Sequence, residues 1–136
     1  MNGEFCVAVH ALVYLNHKDT ILSSEALAEN ICTNPARVRK VMGKLKKANL
    51  VDTKEGIEGG YRFNKNASKV TLSMVAQALD VSFVSINWRS GSHDMACLVA
   101  SGMSGIMDGI LDDLNQLCST FLQSKTIADI DLQIFG

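Results

Sequence analysis

The chain has 136 residues, 47% of them apolar, one proline and a formal net charge of −1. That length and composition suit one folded, mostly helical domain, or a small domain with an arm, and exclude a disordered chain; no apolar stretch reaches the roughly 18 residues of a membrane span. The small net charge conceals a strong polarity: residues 34–65 carry nine of the 13 Lys and Arg (Arg37, Arg39, Lys40, Lys44, Lys46, Lys47, Lys54, Arg62, Lys65) against three of the 14 acids (Asp52, Glu55, Glu58), about +6 there and about −7 over the rest.

A basic patch on an otherwise acidic chain is a site for a polyanion, most simply DNA phosphates. In chain order, Phe5, Ala8, Val9, Leu12, Val13 and Leu15 recur at helical spacing and predict a first helix over residues 3–16. No basic n-region precedes it and no cleavage site follows, so it reads as a core helix rather than a signal peptide, which suggests a cytoplasmic protein. Cys6 is expected in the core, and His10 as a satisfied core or surface histidine. After the polar turn His17-Lys18-Asp19, Ser23-Ser24-Glu25 supplies a serine cap and a first-turn acid for a short second helix from about Ser24 to Ile31.

Cys32-Thr33-Asn34 is the next turn, and Asn34 before Pro35 is a helix start: a cap, then proline at the first helical position. The third helix, about Pro35 to Ala48, sets Val38, Val41, Met42 and Leu45 on one face and Arg37, Lys40, Lys44 and Lys47 on another. Such a helix can pack on its own domain and face a phosphate backbone. Leu50 to Lys54 reads as a strand, Glu55 to Gly60 as a glycine-containing turn, and Tyr61-Arg62-Phe63 as the return strand. Helix–turn–helix followed by a hairpin is the winged-helix arrangement, with the third helix in the major groove and the hairpin as flanking wing.

Thr71 caps a short fourth helix, Leu72 to Leu79, and Ser82 to Met95 reads as a loop. Met103, Ile106, Met107, Ile110, Leu111, Leu114, Leu117, Cys118 and Phe121 then recur at helical spacing, and Thr126 caps a short final helix. The long helix has an apolar face wider than a small winged domain can cover, so it is expected to pair with its copy in a homodimer. The expected fold is mainly α with a small β-hairpin. A winged helix-turn-helix domain spans residues 1–80, a sensor loop 81–97, and the dimerisation and C-terminal helices 98–136.

The candidate DNA contacts follow from that geometry. Ser24, Thr33, Asn34, Pro35, Ala36, Arg37, Arg39 and Lys40 surround the start of the third helix, where base edges are read, and Lys44 lies further along it. Arg37 has the planar fork for guanine; a phosphate contact is equally open to it. Asn34 reads as a cap more than a base reader. Gly59 and Gly60 are expected to give the wing positive φ, Tyr61 to pack beneath it, and Arg62 to touch backbone or minor groove. Cys32, ahead of the third helix, is the most interesting thiol, because a helix amino end and basic neighbours activate cysteine. No nucleophile–base pair, phosphate loop or carboxylate constellation points to an enzyme. The four cysteines contain no C-x-x-C pair, so no metal knuckle is expected.

Ser23-Ser24-Glu25-Ala26-Leu27-Ala28, Asn34-Pro35 opening a basic helix, Lys46-Lys47-Ala48-Asn49-Leu50-Val51 and the wing Gly56-Ile57-Glu58-Gly59-Gly60-Tyr61-Arg62 resemble the Rrf2 family of bacterial transcription regulators. Thr71-Leu72 and Lys125-Thr126-Ile127-Ala128-Asp129 extend the resemblance over nearly the whole chain. It implies a homodimeric winged-helix protein that binds double-stranded DNA, usually as a repressor, released by a signal near the fourth and fifth helices.

Two features depart from the family pattern. Members holding an iron–sulfur cluster carry three cysteines before the long helix, whereas this chain has Cys97 alone with His93 near it, so no cluster is expected. Glu55 and Glu58 put negative charge on the wing. Cys97 lies in the family's sensor region, and oxidation linking Cys32 to Cys97 of the other subunit is one expected control; buried, inert thiols are the plain alternative. Cys118 is expected in the core. A small-molecule effector at the loop around Trp88, or a protein partner, are the other controls considered.

Overall fold

Six α-helices, a short 3₁₀ turn and one antiparallel hairpin make up the computed structural model, which describes residues 3–136. In order they are α1 (Glu4–Lys18), α2 (Ser24–Ile31), α3 (Pro35–Lys47), β1 (Val51–Lys54), β2 (Gly60–Phe63), the 3₁₀ turn Ala67–Lys69, α4 (Leu72–Leu79), α5 (Leu98–Gln123) and α6 (Ile127–Phe135). The mainly helical class with one small hairpin is the one expected from periodicity.

Local chemistry explains where the helices begin. Ser23 accepts from the Ala26 N–H at 3.0 Å, Asn34 from Arg37 at 2.8 Å and Thr71 from Met74 at 3.1 Å. At α6, Thr126 and Asp129 form a reciprocal capping box. Each such cap satisfies an orphan helix donor and is worth about 1 kcal/mol. Asp19, Cys32 and Asp80 end α1, α2 and α4 in the left-handed conformation.

The core forms where these helices meet. Val38, Val41, Met42 and Leu45 of α3 are wholly buried against Leu12 and Leu15 of α1, Leu27 of α2 and Val75 of α4. Val51 and Phe63 anchor the hairpin to the same cluster. Ile127, near the chain's end, is also wholly buried there. Its N–H donates to the Val70 carbonyl at 3.0 Å, and the Leu72 N–H donates to the Lys125 carbonyl at 2.9 Å, so α6 is stitched to the entrance of α4.

Helix α5 is different. It runs 26 residues, about 39 Å at 1.5 Å per residue, yet Ser104 is its one buried residue. Ile106, Ile110, Leu114, Leu117 and Phe121 stand 40–66% exposed. It begins at Leu98, five residues before the Met103 at which the periodic pattern starts. Leu98 and Val99 are exposed and Gly102 carries no side chain, so the first turns give no one-sided signal. The loop before α5 is pinned by the Asn115 carboxamide, which accepts from the Val84 N–H at 2.9 Å and donates to the Val84 carbonyl at 2.8 Å. Arg89 pairs with Asp108 at 2.6 Å, and Phe83 meets Phe5 of α1 edge-on at a centroid distance of 5.1 Å.

Two cysteines depart from expectation. Cys6 is exposed and Cys118 half-buried. Cys6 lies two residues from the buried Ala8, hence on the far side of α1. Cys118 belongs to the apolar face of α5, which covers no core of its own chain.

Candidate nucleic-acid interface

The buried stripe of α3 fixes what the helix shows to solvent. Opposite it lie Ala36, Lys40, Gly43 and Lys47, all exposed. Nothing lies within 4 Å of a Cβ placed on Gly43. Two small residues alternating with two lysines leave room for close approach to a groove wall. Arg37 and Lys44 sit on the flank beside α1, whose Gly3 lies directly beneath the Arg37 guanidinium. Arg39 occupies the other flank and approaches Glu25 of α2 at 3.8 Å, an exposed pair worth little. Thr33 and Pro35 are half-exposed at the helix start, and Ser24 is half-exposed in the first turn of α2. The Asn34 side chain is engaged in its cap.

Sequence reasoning missed the acid beside this surface. Glu4, 8% exposed, lies between two lysines of α3. Its carboxylate is 2.9 Å from the Lys40 ammonium and 3.0 Å from that of Lys44. Hydrogen bonds from Lys40 and then Lys44 hold the carboxyl below its ordinary pKa, against the opposing effect of burial. Glu4 and Lys40 are far apart in the chain, and no local pattern marks the pairing.

The wing is a register-locked hairpin, Val51 opposite Phe63, Asp52 opposite Arg62, Thr53 opposite Tyr61 and Lys54 opposite Gly60. Leu22, also unforeseen, makes a lone antiparallel bridge to β2: it donates to the Tyr61 carbonyl at 3.0 Å and accepts from the Tyr61 N–H at 2.8 Å. A side chain on Gly60 would strike the Leu22 backbone. Positive φ belongs to Gly56 and Gly60 rather than to Gly59. Gly59 is needed for space, because a Cβ there would meet the Lys54 carbonyl. Tyr61 is half-buried beneath the wing, and Arg62 faces Asp19 at 3.5 Å. Ile57 is fully exposed at the wing tip between Glu55 and Glu58.

The sensor candidates separate. Cys32 and Cys97 are both exposed, against the alternative that they are buried. The Cys32 thiol lies 3.8 Å from the Glu29 carbonyl, in the last turn of α2, rather than being engaged by the amino end of α3. Cys97 is the residue immediately before α5, at its N-cap position. The Ala100 and then Val99 backbone N–H groups face its sulfur and lower the thiol's pKa, although neither makes a well-aligned cap hydrogen bond. Trp88 is 72% exposed. A groove of about 700 Å³ lies elsewhere, between α1 and α6, walled by Phe5, Val9, Val13, Ile130 and Ile134. Among the described residues no three His, Cys, Asp or Glu side chains gather as a metal set. No helix among them is long and apolar enough to cross a membrane.

Comparison with known proteins agrees with this geometry. The Rrf2 family, described as "Iron-dependent Transcriptional regulator", matches residues 1–131. YwnA of Bacillus subtilis, provisionally named an HTH-type transcriptional regulator, is 24% identical over 135 residues, 99% of each chain. The HTH-type transcriptional regulator IscR of Photobacterium profundum is 25% identical, over 94% of this chain and 72% of its own. A crystal structure from Lactobacillus plantarum, provisionally a transcriptional regulator, superposes with a TM-score of 0.86 at 22% identity, covering 98% of this chain and 91% of that one.

Proposed function

Because the chain belongs to the Rrf2 family of transcriptional regulators, and not to an enzyme family, we propose that it is a sequence-specific DNA-binding repressor acting as a homodimer. The carrying observation is α3, which packs by its apolar stripe, bears no acid of its own, and turns Ala36, Lys40, Gly43 and Lys47 outward, with Arg37 and Lys44 on its flank. In the major groove, Arg37 is the side chain for a guanine edge, and Lys40, Lys44 and Lys47 serve phosphates. The wing lies along the flanking backbone through Gly59, Gly60, Tyr61 and Arg62. Two copies joined along α5 present two reading helices to half-sites about one helical turn apart. Selection of duplexes from a random pool, followed by footprinting, tests this. Two protected half-sites with two-fold symmetry are expected, and Arg37→Ala relaxes one base position at a cost of about 1–3 kcal/mol. Equal binding to selected and scrambled DNA would refute it.

Control through thiols has a specific observation behind it: both cysteines are exposed, and the Ala100 and Val99 backbone N–H groups lower the Cys97 pKa. Hydrogen peroxide joins Cys97 to the partner subunit's Cys32. One S–S bond forms, and two electrons and two protons pass to the peroxide, whose O–O bond breaks to give two water molecules. Because Cys32 lies three residues from Pro35, the link shifts α3 and spoils half-site spacing. A non-reducing gel checks it: a covalent dimer after mild peroxide, absent in Cys32→Ser and in Cys97→Ser, is expected, and a band that stays monomeric removes the switch. No iron–sulfur cluster belongs to this reading. Cluster assembly needs several convergent thiolates, and the loop before α5 provides only Cys97. Anaerobically purified protein is expected to lack iron and visible charge-transfer absorbance.

A further inference from the structure

Lys40 on the outer face of α3 and Lys44 on the adjoining flank are four residues, about one turn, apart. Both ammonium groups converge on the Glu4 carboxylate, which approaches Lys40 through one oxygen and Lys44 through the other. The lysines remain 65% and 37% exposed, while the Glu4 side chain is 11% exposed. The carboxylate is therefore held by the fold, and the cations stay open to a competitor from solvent. Gly3 beside it packs under Arg37, and Phe5 after it contacts Phe83, so the amino end of α1 is fixed on both sides. A bidentate acceptor of two ammonium groups is what a DNA phosphate is.

We infer that Glu4 is an internal counterion of the reading helix: its carboxylate stands in for a phosphate at Lys40 and Lys44, and DNA must displace or share it. This rests on the reading of α3 as the DNA helix. Its consequence is for specificity. Non-specific binding is almost wholly counterion release, whereas operator binding adds base contacts. A pre-neutralised pair of lysines weakens the first more than the second. Glu4 is thus a positioning and specificity-determining residue that holds the protein off bulk DNA.

The test is the salt dependence of binding of the full-length protein to a scrambled duplex and to a selected operator, measured by fluorescence anisotropy across a potassium chloride series. Glu4→Gln removes one negative charge per subunit. The log–log slope is expected to steepen by about 0.9 per subunit on scrambled DNA, so that each tenfold dilution of salt favours the variant about eightfold per subunit. The ratio of operator to scrambled affinity falls, and Glu4→Asp moves both readouts back toward wild type. A second comparison avoids any folding defect at residue 4. Lys44→Gln is expected to flatten the slope less than Lys47→Gln, since Lys47 on the same helix has no acidic partner among the described residues. Equal slopes for wild type and a folded Glu4→Gln, or equal losses at Lys44 and Lys47, overturn the inference while leaving DNA reading intact. Absence of binding to any duplex by wild type overturns the DNA reading itself.

Discussion

Asn34 shows how one side chain sets where a helix begins, here α3. Its oxygen holds the Arg37 N–H at 2.8 Å, with Pro35 completing the first turn. Asn34→Ala should cost about 1 kcal/mol, seen as a lower urea midpoint, with Asn34→Asp restoring most of it. Gly60 carries a steric demand instead: a Cβ would enter the Leu22 backbone, so Gly60→Ala should lower stability by about 1–3 kcal/mol. The melting temperature reads that loss, and the wing should also detach from the α1–α2 loop. Glu4 carries a pH signature. Its pKa is lowered in the folded state by Lys40 and Lys44 of α3, with Asp80 of the α4 terminus lining the same hollow. The stability it supplies is complete above the ordinary carboxylate range and is lost as pH falls through the depressed folded value. The gap in denaturant stability between wild type and Glu4→Gln should therefore be present at neutral pH and close on strong acidification.

At the scale of elements, α5 is a helix without a core. Its apolar side chains at 106, 110, 114, 117 and 121 recur every three to four residues and stay 40–66% exposed in their own chain. Burying such side chains stabilises by about 1.5–3 kcal/mol each, enough to hold two copies together. Ile110→Asp with Leu117→Asp should yield monomers by light scattering while the melting of the winged part barely changes, because no core residue is touched. Periodicity made this helix legible but not the identity of its cover, since an apolar stripe looks the same whether the neighbour is in the same chain or another. The first turns of α5 carry no such periodic signal: exposed Leu98 and Val99 followed by Gly102 present no stripe. The α3 assignment came through intact because cap, proline and two-faced pattern all agree at adjacent positions.

Across the whole molecule, the polarity of charge is written in the sequence, but its internal compensation is not. Nine cations in residues 34–65 announce a polyanion site. Glu4, far away in the chain, neutralises part of it only once α1 lies across α3. Leu22 and Asn115 escaped for the same reason, since each acts through a backbone partner whose proximity is a product of folding. Cys6 misled because a cysteine among apolar residues looks like core until the helix is rotated into place.

The burial of Ile127 has a further consequence, for how the protein is made. A ribosome delivers the winged segment first and α5 next, and only then the residue that closes the core. A nascent chain halted before α6 has the whole winged segment but leaves Val70 and the entrance of α4 without their stitch. Completion of the core thus waits until α5 has been synthesised, and a chain truncated before α6 is expected to be less stable than the whole protein, as a lower melting temperature or faster limited proteolysis would show.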